Sequence, residues 1–376
     1  MELKKTHIYS YHAEHGNIVD FGGYAMPVWY TGIQEEHKAV REGCGVFDTS
    51  HMGRTWVEGP DTERYLNYVV TNDVTRLDPY GGLYTVMCKP DGGIVDDLIT
   101  YKFTPERFLV VYNASNRDKD FKWLKKNSKD FDVKLTDVSN KVAMIAVQGP
   151  KAEETLQKIT EEPLSEIERF NIGEVTVSGY PALAARTGYT GEDGFEVFVL
   201  DSPLDEPEKA LKIWNGLVDA GAVPCGLGAR DSLRLEAGLW LYGNDIDETT
   251  NPIEAGLRWT VKLKKPGYFI GQRAIQQIRE EGIERRLVGL MMTDRGIPRH
   301  GYQVLNTDEE PIGEVTSGGL SPTLGVGIAM AYLPNEYREL DTEVYVKIRD
   351  RLAKGKVVKH RPFYDEAVYG WKRDKQ

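Results

Sequence analysis

Cysteine is scarce in this chain of 376 residues. Its three cysteines, Cys44, Cys88 and Cys225, are far apart and form no CxxC pair. An odd number of isolated cysteines indicates neither a disulfide framework nor a structural zinc site. The cysteine content therefore favours a reducing compartment.

Long apolar runs are also missing. No run of about 18 apolar residues, the length of a membrane-spanning helix, occurs in the chain. The N-terminal segment MELKKTHIYSYHAEHG lacks both the apolar core of a signal peptide and the Arg- and Ser-rich character of a transit peptide. These absences predict a cytoplasmic protein without a membrane partner.

Basic residues are outnumbered by acidic ones. The chain has 47 Lys and Arg against 58 Asp and Glu, which gives a formal net charge of -11. Nucleic-acid recognition needs a basic surface, so this charge argues against a nucleic-acid partner. A small anionic substrate would need a focused basic site.

Several widespread catalytic signatures are absent. The sequence has no GxxxxGK[ST], GxSxG or HExxH motif, and the GVG at 325–327 lacks the third glycine of a dinucleotide fingerprint. His12 and His15 have metal-ligand spacing, but no further Cys or His lies nearby, which favours structural histidines and no metal site. His51, in the turn DTSHMG, has no role that the sequence defines.

The pattern of elements predicts an α+β protein with two or three domains, given roughly 100–200 residues per domain. Three β-patterned segments between residues 83 and 112 indicate a meander, and a strand is expected at FEVFVL, residues 195–200. From about Arg285 short strands alternate with turns, which predicts a separate C-terminal β-barrel or sandwich, with the boundary at 276–284. Helices are predicted at 31–43, 62–70, 118–127, 151–159, 207–220 and 229–241.

Asp96 and Asp97 are adjacent carboxylates in the apolar run GGIVDDLI. A strand covered on both faces would desolvate at least one of them. Successive side chains point to opposite faces, so Asp96 and Asp97 fall on different faces, and periodicity alone does not select one of them. A structural acid bonded to backbone amides and a catalytic acid both remain open.

Glu196 is a second acid in an apolar strand, where an ionised group needs a partner. Arg230 and Arg234, four residues apart at the start of a predicted helix, are candidate partners because they project along one side. A structural ion pair and a ligand site fit this pattern equally well.

Six segments spread along the chain resemble the T-protein of the glycine cleavage system, the GcvT family of aminomethyltransferases. They are FGGYAMPVWY (21–30), FDTSHMG (47–53), GGIVDDL (92–98), GYTGEDGFE (188–196), GLGARDSLRLEAGLWLYGNDID (226–247) and TSGGLSPTLG (316–325). The resemblance covers almost the whole chain, including its C-terminal β region.

The resemblance implies a three-domain, cloverleaf-like folate-binding fold with a C-terminal β-barrel-like domain. The expected folate-binding region is 1–275, formed by two intertwined α+β domains, roughly 1–54 with 143–241 and 55–142 with 242–275. The C-terminal domain is expected at 285–376. These limits follow from the family pattern and not from the linear order of elements.

The resemblance also implies the reaction. The methylene of an aminomethyl group, carried on the dihydrolipoyl-lysine of H-protein, is transferred to tetrahydrofolate with release of ammonia, giving 5,10-methylenetetrahydrofolate. Tetrahydrofolate is then the co-substrate, lipoylated H-protein the direct partner, and P-protein and L-protein are indirect partners. No metal is implied.

Matched to the family's motifs, the catalytic aspartate is Asp97, the second acid of GGIVDD. The folate-binding glutamate is Glu196 and the arginine is Arg230. The C-terminal folate-contacting tyrosine matches Tyr369, with Tyr364 as the competing assignment, because the tail PFYDEAVYGWKR departs from the expected ending. The other expected folate-binding residues are Tyr84, Tyr101, Asn113 and Tyr189.

Two relatives with other activities are alternatives. One is a tetrahydrofolate-dependent demethylase of a small methyl donor, which would need no carrier protein. The other is a folate-binding iron-sulfur assembly or tRNA-modification protein, whose KGCYxGQE-like motif compares with KPGYFIGQR at 265–273. Gly267 and Arg273 replace the cysteine and glutamate of that motif, which disfavours the second alternative.

Overall fold

The computed structural model describes residues 2–373. The N-terminal residue and residues 374–376 at the end of the predicted C-terminal domain lie outside this range. The described chain forms these α-helices: α1 (Tyr9–His15), α2 (Ile33–Glu42), α3 (Thr62–Val69), α4 (Arg117–Asn127), α5 (Ala152–Gln157), α6 (Glu208–Asp219), α7 (Leu227–Glu236) and α8 (Gln272–Glu281).

Strands make up the larger share of the regular structure. In chain order they are β1 (Asn17–Phe21), β2 (Tyr24–Trp29), β3 (Gly45–Asp48), β4 (Gly53–Glu58), β5 (Gly82–Cys88), β6 (Ile94–Thr104), β7 (Arg107–Tyr112), β8 (Lys134–Asp137), β9 (Ala143–Gln148), β10 (Ile172–Val177), β11 (Tyr180–Ala185), β12 (Gly194–Val199), β13 (Val223–Pro224), β14 (Arg285–Met292), β15 (Gln303–Leu305), β16 (Pro311–Leu320), β17 (Gly327–Pro334), β18 (Glu343–Ile348) and β19 (Arg351–Val358).

One six-stranded sheet has the order β10-β11-β12-β9-β3-β13. Its central strands β9 and β12 are buried along their whole length, which explains why their sequences are almost continuously apolar. Trp214 and Leu217 of α6 pack into the core on one face of this sheet. Glu196 lies on β12 opposite Ala146 and Ala185, in the middle of the sheet.

A second sheet has the order β5-β6-β7-β4-β8. The predicted meander of β5, β6 and β7 is confirmed, and β6 is paired on both sides. Tyr65 and Leu66 of α3 cover one face, and Leu124 of α4 joins the same core. The strand that carries Asp96 and Asp97 is therefore an interior strand.

Strands β14 to β19 close into a six-stranded barrel. The predicted α+β class and the predicted C-terminal barrel are thus confirmed. The two sheets and the segment that follows the barrel contribute to one cavity, which agrees with the cloverleaf-like arrangement. The domain limits inferred from the resemblance stay a prediction.

Helix α7 ends earlier than the predicted 229–241 segment. Gly238 has a φ of 66°, and a Cβ there would lie 1.8 Å from the carbonyl oxygen of His360. A left-handed residue at this place ends the helix and lets the chain after the barrel approach closely. The predicted boundary at 276–284 contains the second half of α8 and ends directly before β14, and it stays a prediction.

None of the helices formed by residues 2–373 combines the length and the apolar character that a membrane crossing requires.

A buried ionic cluster holds α2, α7 and the barrel together. Glu236 accepts hydrogen bonds from Arg41 at 3.0 Å, from the Thr323 hydroxyl at 2.7 Å and from the Ser321 hydroxyl at 2.5 Å. Burial alone would raise the pKa of Glu236, but His37 and Arg41 lower it to about 2. Arg41 also pairs with Glu192 at 3.0 Å, in the turn before β12.

We expect Glu236→Ala to destabilise the protein strongly, because it removes the carboxylate that Arg41 and His37 share and leaves Arg41 with Glu192 as its one remaining acidic partner within the described chain. The expected loss is about 3–5 kcal/mol of unfolding free energy, measured by urea or thermal unfolding. Glu42→Ala, which removes an exposed acid at the end of α2 that pairs only weakly with Lys38, is the control and should change stability by less than about 1 kcal/mol. If both substitutions lowered the unfolding free energy equally, Glu236 would not hold α2, α7 and the barrel together.

Candidate active site

A cavity of about 380 Å³ lies where the two sheets, α7 and the segment after the barrel meet. Asp97 of β6 and Glu196 of β12 line it, together with Arg230 of α7. The segments 239–242 and 361–372 complete the wall. The structure thus brings together the three residues that the sequence analysis placed at the centre of the site.

Asp97 faces the cavity and is held by two donors. The Tyr84 hydroxyl donates to Oδ2 at 3.0 Å, and the Asn113 side-chain amide donates to Oδ1 at 2.8 Å. Burial, followed by the charge of Asp96, raises the pKa of Asp97 to about 7, and the two hydrogen bonds only partly oppose this rise. Asp97 therefore changes its charge near neutral pH.

Asp96 points to the opposite face of β6 and is fully buried. It accepts hydrogen bonds from the Asn113 backbone amide at 3.2 Å, the Asn113 side chain at 2.9 Å and the Asn116 side chain at 2.8 Å. Asn113 and Asn116 immediately precede α4, so this segment satisfies the buried acid. The expectation that the strand desolvates a carboxylate is correct, and the face open to the cavity belongs to Asp97.

Glu196 forms another part of the wall and is 6% exposed. Its Oε2 accepts a hydrogen bond from the Thr187 hydroxyl at 2.5 Å, and Thr187 in turn bonds with the Tyr101 hydroxyl at 2.8 Å. Burial raises the pKa of Glu196, against the effects of Thr187 and Arg230. Among the described residues, no arginine or lysine lies within ion-pair distance of this carboxylate.

Arg230 lies over the ring of Tyr189, with 4.7 Å between the guanidinium carbon and the ring centroid. Burial lowers the pKa of Arg230, while Tyr189 and Glu196 oppose the effect. Arg234, the other candidate partner of Glu196, is bonded elsewhere, to Asp245 at 2.8 Å. Of the two candidate partners of Glu196, Arg234 is thus paired with another acid, and Arg230 shares the cavity with Glu196 without direct contact, which leaves the ligand-site alternative.

Aromatic rings form a layered wall beside Asp97. Tyr84 lies nearly parallel to Trp259, at 5.6 Å and 22°, and to Trp240, at 6.4 Å and 18°. The Tyr189 hydroxyl donates to the backbone oxygen of Trp240. Such parallel rings suit a flat heteroaromatic ligand.

Both candidate tyrosines of the C-terminal tail line the cavity. Tyr364 and Tyr369 pack edge to face, with ring centroids 6.2 Å apart. Tyr364 is also fixed from behind, because the guanidinium of Arg41 lies 4.7 Å from its ring centroid. A Cβ at Gly191, whose φ is 82°, would lie 2.2 Å from the Tyr364 hydroxyl, so the GYTGEDG turn and the tail require glycine there.

The predicted site residues fall into two groups. Asp97, Glu196 and Arg230 line the cavity, as do Tyr84, Asn113, Tyr189 and Tyr369. Tyr101 does not, because it is 1% exposed and lies behind Thr187. The structure therefore corrects its expected place in the pocket wall.

Sequence reasoning missed Trp240, Trp259, Thr187 and Asn116. Trp240 lies within the quoted segment 226–247, and Thr187 directly precedes GYTGEDG, so both were close to recognised motifs. Trp259 is 44% exposed, an unusual exposure for a large aromatic residue. No periodic pattern marks these residues, because their places depend on tertiary contacts and not on local spacing.

The histidines have structural surroundings. His12 bonds with Asp48 at 2.9 Å and with the Tyr30 hydroxyl at 2.7 Å, which accounts for it without a metal. His51 lines the cavity and is 2% exposed, and burial lowers its pKa to about 3, so its imidazole is neutral. No cluster of three or more potential metal ligands occurs within residues 2–373.

We expect Asp97→Asn to stabilise the protein at pH 8. An aspartate has a pKa of about 3.9 when unfolded, so the stability given by the protonated folded form is complete below about pH 4 and is lost as the pH rises through about 7. The full pKa shift of Asp97 corresponds to about 4 kcal/mol of unfolding free energy. We expect Asp97→Asn to gain roughly half of this value, because the cavity is partly solvated.

Thermal unfolding at several pH values measures this effect. The melting temperature of Asp97→Asn should exceed that of the unaltered protein at pH 8, and the difference should narrow towards pH 5. Asp130→Asn, at an exposed aspartate, is the control. A less stable Asp97→Asn at pH 8 would contradict the raised pKa.

Comparisons with known proteins agree along the whole chain. The family model described as GCVT N-terminal domain matches residues 8–265, and that described as glycine cleavage T-protein C-terminal barrel domain matches residues 285–365. An aminomethyltransferase of Thermosipho melanesiensis is 46% identical over 372 residues, 99% of this chain and 100% of the relative. One of Clostridium botulinum is 46% identical over 368 residues, 96% of this chain and 97% of the relative.

A solved structure gives the same result. The crystal structure of glycine cleavage system aminomethyltransferase T from Bartonella henselae superposes with a TM-score of 0.89 at 33% sequence identity. The superposition covers 96% of this chain and 98% of that one. The chain therefore belongs to the glycine cleavage T-protein family of aminomethyltransferases.

Proposed function

We propose that the protein transfers the methylene carbon of an aminomethyl group, carried on the dihydrolipoyl arm of H-protein, to tetrahydrofolate. Ammonia is released and 5,10-methylenetetrahydrofolate is formed. The reaction takes place in the cytoplasm, in keeping with three free, buried cysteines. P-protein and L-protein are linked to this step only through H-protein.

One observation carries the proposal: two desolvated carboxylates, Asp97 and Glu196, line the same cavity beside parallel aromatic rings. The volume of about 380 Å³ lies in the range of small-molecule sites. A reduced pterin is flat and presents several N–H donors, so a carboxylate acceptor and an aromatic wall fit it. This fit supports tetrahydrofolate as the co-substrate.

Glu196 is suited to bind the amino-pyrimidine edge of the pterin. The Thr187 hydroxyl donates to its Oε2, and its remaining lone pairs can accept hydrogen bonds from a ligand. Tyr101 supports this arrangement by bonding with Thr187. Arg230, without a carboxylate partner among the described residues, is suited to bind a carboxylate of folate.

Asp97 is the proposed catalytic residue. Expelling an amine and transferring a one-carbon unit develops positive charge, which a fixed carboxylate in a water-poor site stabilises. A pKa of about 7 also lets Asp97 take up or release a proton near neutral pH. Tyr84 and Asn113 hold its two oxygens in a single orientation.

The remaining residues shape the pocket. Tyr84 and Tyr189 form its aromatic wall with Trp240, and Tyr369 covers it from the C-terminal tail. The lipoyl arm must enter the same cavity to reach Asp97. Gly267, in the segment compared with the iron-sulfur assembly relatives, lies in an exposed turn with a φ of 76° and offers no thiol.

Ammonia release from aminomethylated H-protein, measured with and without tetrahydrofolate, tests the proposed reaction. We expect strong stimulation by tetrahydrofolate, because the methylene needs an acceptor. Release that does not depend on tetrahydrofolate would overturn the proposal. Transfer from a small methyl donor without H-protein would favour the demethylase alternative.

Two substitutions should separate catalysis from binding. Asp97→Asn should lower the turnover number roughly 10²- to 10⁴-fold while folate affinity is retained, because only the ionisable group is lost. Glu196→Gln should weaken folate binding by about 1.5–3 kcal/mol, since a charged acceptor is replaced by a neutral amide.

Calorimetric folate binding and steady-state kinetics measure both effects. Glu174→Gln, at an exposed position on β10 of the same sheet as Glu196, is the matched control. Retained turnover in Asp97→Asn would remove Asp97 from the chemistry. Unchanged folate affinity in Glu196→Gln would remove Glu196 from the binding site.

A further inference from the structure

A third carboxyl group lies behind the proposed catalytic aspartate. Asp120, on the first turns of α4, is fully buried. Its side chain contacts that of Asp96. No donor from another protein side chain or from the backbone of residues 2–373 reaches either of its oxygens. Asp120 is therefore a buried acid whose polar neighbour is another acid.

The nearest cation does not neutralise Asp120 by direct contact. Lys119 directs its amino group to the Val95 backbone oxygen at 2.5 Å and to the Tyr242 hydroxyl at 2.9 Å. Two adjacent carboxylates in such a site repel each other strongly and are each poorly solvated. The pair is stable when it shares one proton, which forms a short hydrogen bond between the two groups.

The existing hydrogen bonds determine which acid keeps the proton. Asp96 accepts three hydrogen bonds, from the backbone and side chain of Asn113 and from Asn116, so its oxygens already act as acceptors. Asp120 has no such donors. The proton therefore belongs to Asp120, which donates it to Asp96.

This pair is connected to the cavity through one amide. The side-chain nitrogen of Asn113 lies 2.9 Å from Asp96 Oδ1 and 2.8 Å from Asp97 Oδ1. A rotation of Asp96 would pull Asn113 away from Asp97. The hydrogen bond from Asp120 restrains that rotation.

We propose that Asp120 is a positioning residue for aminomethyl transfer: as a neutral carboxylic acid it donates to Asp96, and through Asn113 it fixes the orientation of Asp97. The effect on turnover rests on the proposed function. The protonated pair does not, because it is inferred from the burial of Asp120, its lack of donors among the described residues and the hydrogen bonds of Asp96.

The electrostatics agree with this geometry. Burial, followed by the hydrogen bond with Asp96, raises the pKa of Asp120 to about 12. Asp97 consequently faces one full negative charge, that of Asp96, instead of two. The other titratable groups around these three acids are Tyr84 of β5, Tyr112 of β7, Lys119 of α4, and Tyr189 and Tyr242 of the loops.

Two substitutions of Asp120 test the proposal. Asp120→Asn keeps a neutral donor to Asp96, so turnover should stay within about threefold and the pH profile of ammonia release should not move. Asp120→Ala removes the donor, and turnover should fall roughly 10- to 100-fold with little change in the KM for tetrahydrofolate, because Asp97 is misplaced. Asp118→Ala, at an exposed position on the first turn of the same helix, is the control.

The pH profile separates positioning from mere structural support. If Asp120 were ionised, Asp120→Asn would remove a negative charge near Asp97 and shift the profile to lower pH. Such a shift would overturn the proposal, as would full turnover in Asp120→Ala. We expect Asp120→Asn to keep its turnover and Asp120→Ala to lose most of it.

Infrared spectroscopy gives a readout that needs neither turnover nor the Ala variant. The carbonyl stretch of a protonated carboxylic acid, identified by ¹³C-labelling of aspartate, should be present at pH 8 and lost in Asp120→Asn but not in Asp118→Asn. Its absence in the unaltered protein would overturn the proposal. If the unaltered protein released no ammonia while the band was present, the proposed function would fail and the protonated pair would remain.

Discussion

Two neighbouring carboxylates on one interior strand set the requirements for the structure around them. Asp96 and Asp97 point to opposite faces of β6, where bulk water reaches neither freely, so each needs protein donors. The donors come from two elements: Tyr84 from β5, and Asn113 and Asn116 from the segment before α4. A carboxylate can therefore lie at the cavity because β5 pairs with β6 and because the segment before α4 lies next to it.

The other wall follows a different principle. Helix α7 carries Glu236 and Arg230. The charge of Glu236 is compensated by several donors, whereas the charge of Arg230 is compensated poorly. Glu236 is surrounded by donors and joins α2 to the barrel, which makes this part of the helix rigid. Arg230 has an aromatic ring beneath it and no carboxylate in contact within the described chain. A rigid helix can hold a poorly compensated group in place, and such groups are typical of functional sites.

The sequence predicted the elements well and their partners less well. Alternation and turn residues were sufficient for the meander β5 to β7 and for β12, because those signals are local. Periodicity assigned Asp96 and Asp97 to different faces but did not identify which face opens to the cavity, since that depends on Asn113 and on segments of other sheets. Tyr101 shows the same limit: its strand was predicted, yet its place behind Thr187 depends on a contact 86 residues away.

Glu196 and Arg230 illustrate how a binding site differs from a structural ion pair. Had the two groups met directly, each would have satisfied the other and little would have remained for a ligand. Instead burial raises the pKa of the carboxyl and lowers that of the guanidinium, so both ionised forms are destabilised in the cavity. A ligand with N–H donors at one end and a carboxylate at the other relieves both effects at once. The lack of a direct contact between these two residues is consistent with the proposed folate site, and a ligand with only one of those groups would leave one charge uncompensated.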